Sequence, residues 1–145
     1  MSTPSGQGRI VVGIDGSPES ARALSWGIDE GRLRGLGLRI VYAFPALVSI
    51  LGDTAHDYYP QVEREAAAMF EKALAAAPTM DDLDVEHRML PGNPAQVLVD
   101  ESRGATLLVV GYRGRGGFVG MLLGSVSIHC VQHAHCPVVV VRHNG

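Results

Sequence analysis

The chain has 145 residues, 46% of them hydrophobic and 19% charged, which suits one compact domain and excludes an intrinsically disordered chain. Its formal net charge is −3, so no broad basic face is available for a nucleic-acid backbone and no DNA partner is expected. No apolar run reaches the length of a membrane span, which leaves a cytoplasmic protein with reduced thiols at Cys130 and Cys136 as the expectation.

Residues 1–8, MSTPSGQG, are polar, lack the apolar core of a signal peptide, and read as a flexible tail ahead of a domain over 9–145. The first apolar run, RIVVGI (9–14), predicts a strand. Ser17-Pro18-Glu19 then supplies an N-cap, a proline at the first helical position and an acid in the first turn. Ala21, Leu24 and Ile28 repeat along one face of the helix that follows. LRIVYAF (38–44) predicts the second strand, and 45–60 reads as a long irregular loop of the kind that forms a lid or binding surface. Val62, Ala66, Met69, Phe70, Ala73, Leu74 and Ala77 make an apolar stripe at helical spacing. VEHRML (85–90) is the most polar strand and reads as an edge. Asn93-Pro94 opens a short helix containing Val97 and Leu98, and TLLVVG (106–111) is a fourth strand. Ser125 opens a last helix running to about Ala134, before PVVVVR (137–142).

Strands alternating with helices cannot pair as hairpins. They predict an α/β fold, a single open five-stranded parallel sheet, Rossmann-like, with right-handed crossovers and helices on both faces. An all-valine edge, Val138 to Val141, is then an anomaly, because an open apolar edge invites pairing.

In such sheets ligands sit outside the carboxyl ends of the strands, where strand order reverses. The first strand delivers Gly13-Ile14-Asp15-Gly16-Ser17 there, and the second delivers Ala43. The fourth delivers the glycine-rich stretch VVGYRGRGGFVGMLLGSVS (109–127), which holds six glycines in nineteen residues. It contains neither GxxxxGK[ST] nor GxGxxG. Glycines let a backbone approach phosphates, and Gly124-Ser125-Val126-Ser127 starts a helix whose free N–H groups suit an anion, with serine hydroxyls as further donors. Arg113 and Arg115 are candidate phosphate contacts or solvated loop charges. Asp15 suits a ribose hydroxyl or an adenine amino group, with a plain Asp-Gly turn as the alternative.

VVGIDGS at the first strand, VVGYRGRGG after the fourth, LLGSVS at the last helix and HCPVVVV at the end resemble the universal stress proteins, over Arg9 to Arg142. The spacing G-x2-G-x9-G-[ST], here Gly111, Gly114, Gly124 and Ser125, is the signature of that family's ATP-binding branch. The resemblance implies strand order 3-2-1-4-5 and ATP, with or without Mg²⁺, held by Gly13, Ile14, Asp15, Ala43, Gly111, Tyr112, Arg113, Gly114, Arg115, Gly124, Ser125, Val126 and Ser127. It also implies a homodimer paired along Val138, Val139, Val140 and Val141, which would cover the open edge. Tyr112 departs from the small residue of many relatives, and its ring either lines the phosphate site or narrows the pocket.

An ATP-hydrolysing site needs a lysine on the phosphates and acids for Mg²⁺, yet the loop has no lysine and Asp15 is the one acid on a motif. The HIGH and SGGxDS motifs of nucleotidyl transfer do not occur either. A regulatory module whose nucleotide occupancy is read by a protein partner is therefore the leading expectation. A weak ATPase or phosphotransfer protein, and a dimer binding AMP or cyclic AMP, are the alternatives. HCVQHAHC (129–136) sets His129 and His133 one helical turn apart, but the helix is expected to end before Cys136. The two cysteines read as small buried apolar residues, and no metal is assigned.

Overall fold

The computed structural model describes residues 8–45, 55–113 and 123–142. Nine elements follow one another: β1 (Ile10–Ile14), α1 (Pro18–Arg34), β2 (Leu38–Phe44), α2 (Ala55–Ala76), β3 (Val85–Pro91), α3 (Pro94–Glu101), β4 (Leu107–Gly111), α4 (Ser125–His133) and β5 (Val138–Val141). All four strand pairs are parallel, and the order is β3-β2-β1-β4-β5, which makes β3 and β5 the edges as the sequence implies.

Alternation along the strands sends side chains to two cores. Ile10, Val12, Ile14, Ile40 and Val109 pack on one face with Leu24 and Ile28 of α1 and Phe70 of α2. Val11, Val41, Leu108 and Val110 pack on the other with Leu98 of α3 and Cys130 of α4. That second face also encloses Arg39, only 1% exposed, inside what reads as an apolar strand. Its guanidinium donates to Glu86 of β3 at 2.9 and 2.6 Å, and Glu101 at the end of α3 lies 3.8 Å away. Two carboxylates around one buried cation avoid an uncompensated charge.

Small residues bring α1 close to the sheet. Its buried face is Ser20, Ala23, Leu24, Gly27, Ile28 and Gly31, while Ala21, expected inside, is exposed. A Cβ at Gly27 would stand 2.7 Å from a methyl of Val12, so only glycine permits this approach. The second helix also departs from expectation. It begins at Ala55 with Pro60 inside it, so the stretch 45–60 is not wholly irregular. Pro60 withdraws one helical N–H, which is why the stretch up to it reads as lying outside the helix. The helix nevertheless continues on its N-terminal side, where the Tyr59 ring packs 6.0 Å from that of Phe44 at the end of β2. Residues 46–54 of that stretch lie outside the described residues.

Candidate nucleotide site

The sheet order reverses between β1 and β4, whose carboxyl ends stand side by side. Strand β2 runs past β1 on the other flank: Ile14 is opposite Tyr42, so Ala43 and Phe44 extend beyond the end of β1. Ala43 is part-buried there.

The turn from β1 into α1 is closed by its own polar groups. The Ser17 N–H donates to Asp15 Oδ1 at 2.9 Å, and Gly16 sits at φ 83°, a conformation that favours glycine. Ser17 caps the helix, its Oγ accepting from the Ser20 N–H at 3.1 Å. The Ser20 hydroxyl donates to the Ser17 carbonyl at 3.0 Å and accepts the Asp15 N–H at 3.2 Å. The Asp-Gly turn reading is therefore real, and it fixes where the Asp15 carboxylate stands.

Two expected cradle glycines have packing reasons of their own. A Cβ on Gly13 would lie 2.6 and 2.9 Å from the two terminal methyls of Leu98 in α3. A Cβ on Gly111 would lie 2.8 Å from the carbonyl carbon and oxygen of Glu19, in the first turn of α1. Neither partner is signalled by the sequence, because close helix–strand approach leaves no local pattern.

The connection from β4 to α4 is pinned at both ends. The Tyr112 N–H donates to the Val141 carbonyl of β5 at 3.0 Å, and the Gly124 N–H returns to the Tyr112 carbonyl at 2.6 Å. Ser127, 2% exposed, donates its hydroxyl to the Gly111 carbonyl at 2.5 Å. That bond gives the hydroxyl an acceptor within the protein, in place of the phosphate the sequence suggests, and ties α4 to the end of β4. Arg113 folds back on Tyr112, donating to its hydroxyl at 2.7 Å with the guanidinium carbon 4.8 Å from the ring centre. Tyr112 thus holds a cation at the start of the loop. Gly114 and Arg115 lie outside the described residues.

What remains for a ligand is the start of α4. Its N-cap is Gly124, extended at φ −72°, ψ 164°, with no side-chain cap. An α-helix leaves its first N–H groups without intrahelical acceptors, and the N-terminus carries positive potential. Ser125 is exposed and Val126 part-buried, so the first turn of the helix is partly open to solvent. The arrangement can take an anion at α4, while the Asp15 carboxylate, which accepts the Ser17 N–H, stands at the end of the neighbouring strand.

Residues 7–142 match the family model of the universal stress protein family. The chain belongs to the universal stress protein family. A universal stress protein of Mycolicibacterium smegmatis is 39% identical over 135 residues, covering 92% of this chain and 45% of that relative. The chain thus spans about half the length of such curated relatives. Among solved structures, the hypothetical protein MJ0577 superposes with a TM-score of 0.80 at 19% identity, covering 97% of this chain and 99% of the other, and shows the shared fold. A universal stress protein in complex with cAMP is 28% identical, with a TM-score of 0.59 over 97% of this chain and all of that one. A family member from Arabidopsis thaliana has AMP bound, and one from Archaeoglobus fulgidus is in complex with dAMP.

Proposed function

We propose that this universal stress protein is a binding and regulatory module for an adenine nucleotide, with ATP as the leading ligand. The observation that carries the reading is the uncapped start of α4, held by the Gly124–Tyr112 bond beside the strand-order reversal. Phosphates lie at the N–H groups of Ser125, Val126 and Ser127, and base or ribose lies toward Asp15 and Ala43. The complexes of relatives with cAMP, AMP and dAMP support an adenine nucleotide as the class. Gly13 and Gly111 contribute by letting α3 and α1 close on the strand ends. Gly114 and Arg115 complete the phosphate side, and Mg²⁺ accompanies ATP where the triphosphate is bound. A cytoplasmic protein partner reads whether the nucleotide is bound.

The edge strand supports a homodimer. Val138 to Val141 pair with β4 on one side, and their side chains are only part-buried. A second copy pairing along that strand covers the valines. Val140→Glu places an uncompensated charge on each side of a two-fold axis and gives a monomer in sedimentation. A wild-type monomer at micromolar concentration, or a variant still fully dimeric, refutes the pairing.

Mass spectrometry of ligand released by denaturing the purified protein tests the nucleotide reading, and an adenine nucleotide is the expected release. Protein that carries none and gives no heat with ATP, AMP or cyclic AMP overturns it. The weak-ATPase alternative predicts turnover in the wild type that Gly124→Ala abolishes. The module reading predicts no turnover above that variant.

A further inference from the structure

The segment HCVQHAHC splits into two parts once folded. Cys130 points into the core beneath the sheet at 0% exposure, and burial pushes its thiol up to about 11. Cys136 lies beyond the helix end, and burial raises its thiol too. Neither sulfur stands with the outward histidines, since Cys130 packs in the core and Cys136 follows the end of the helix.

His129 and His133 fall on the outward side of α4, part-buried and exposed respectively. They are four residues apart, and their ring centres already stand 4.5 Å from each other with planes tilted by 44°. Among the described residues, no group of three or more His, Cys, Asp or Glu stands together. We propose that His129 and His133 form a bidentate site for a late first-row divalent cation of the Ni²⁺, Cu²⁺ and Zn²⁺ group, with water in the remaining positions.

The chemistry follows from the pair. Metal–imidazole bonds of about 2.0–2.1 Å bring the two ligating nitrogens to about 3 Å, within reach of neighbouring rings by side-chain rotation alone. Neutral imidazole suits these ions, while Mg²⁺ and Ca²⁺ require oxygen ligands. A cation beside the last turn of α4 also meets the negative end of the helix dipole. Chelation across one turn staples the helix end just before the His135 N–H is anchored on Ser102 Oγ at 2.8 Å.

The test uses the full chain stripped with chelator, then titrated with Ni²⁺ or Zn²⁺ at pH 7.5. Both avoid the thiol oxidation that Cu²⁺ brings. A rise in Tm of about 3–6 °C is expected at metal tenfold above Kd, with Ni²⁺ tighter than Zn²⁺ and no shift with Mg²⁺. His129→Ala and His133→Ala each weaken binding at least about tenfold. Alanine favours the helix, so both variants fold, and their own metal-free Tm checks this. Cys136→Ser keeps the response. No shift with either ion, a shift retained in both histidine variants, or a shift lost in Cys136→Ser overturns the site.

Discussion

The two loops that leave the carboxyl ends of β1 and β4 make an instructive pair. Both pass from a central strand through glycine into a helix with serines in its first turn. In the first, Asp15, Ser17 and Ser20 bind one another, and the start of α1 is capped by Ser17. In the second, the chain returns to Tyr112 and the N-cap is a glycine with no side chain to cap the helix. The same composition therefore builds a rigid wall on one side and a set of available N–H donors on the other. The difference lies in which polar groups find partners locally, and glycine content does not report it.

Breaking the rigid side gives the largest expected effect. Gly111→Ala drives a methyl into the Glu19 backbone, which cannot swing aside, and destabilises by about 1–3 kcal/mol in urea unfolding. Gly13→Ala meets only the far methyls of Leu98 and is milder. The reverse order would contradict the packing role assigned to Gly111. Next comes Asp15→Ala. It removes the acceptor for the Ser17 N–H and, in the proposed site, leaves a ligand donor unpaired. Affinity for ATP, AMP and adenosine falls together by about 1–3 kcal/mol, roughly five- to more than hundredfold. Loss for ATP alone would put Asp15 at the phosphates and revive the hydrolytic reading.

Ser127→Ala has a smaller effect on ligand, because its hydroxyl is given to the Gly111 carbonyl. Stability falls by about 0.5–1.5 kcal/mol, and affinity falls less than for Asp15→Ala. An affinity loss larger than that of Asp15→Ala would place the hydroxyl on the phosphates after all. A last effect, confined to alkaline pH, arises further along the same helix. Cys130 is held protonated to about 11, against an ordinary value of 9.0, because burial disfavours its thiolate. The unfolded chain loses that proton first, so stability declines as pH rises from about 9 toward 11. Cys130→Ala removes that part of the slope, and an unchanged slope would mean the thiol ionises freely in the fold.

The sheet was legible because valine and isoleucine runs alternate with capped helices, and because Ser17-Pro18 and Asn93-Pro94 both mark true helix starts. The candidate site was legible as a set of segments, but the tasks of individual residues were not. Gly13 and Gly111 answer to Leu98 and Glu19, which are distant in sequence or on another element. Arg39 is buried by partners on β3 and α3 that only the fold assembles. The stretch 45–60 reads as a loop, while the helix starts at Ala55, with Tyr59 held against Phe44. In each case a tertiary contact overrides the local signal.

The central claim is that a phosphate sits at the start of α4, and Ser125→Asp tests it most directly. Ser125 is exposed, and an acid in a first helical turn stabilises the helix by about 0.3–1 kcal/mol, so the variant folds at least as well as the wild type. In parallel calorimetric titrations of both proteins, AMP should bind the variant at least about tenfold more weakly, a loss of about 1.4 kcal/mol from like-charge repulsion, while adenosine binds both equally. Equal AMP affinity in the two proteins, or a parallel loss for adenosine, would contradict the placement of the phosphate at α4.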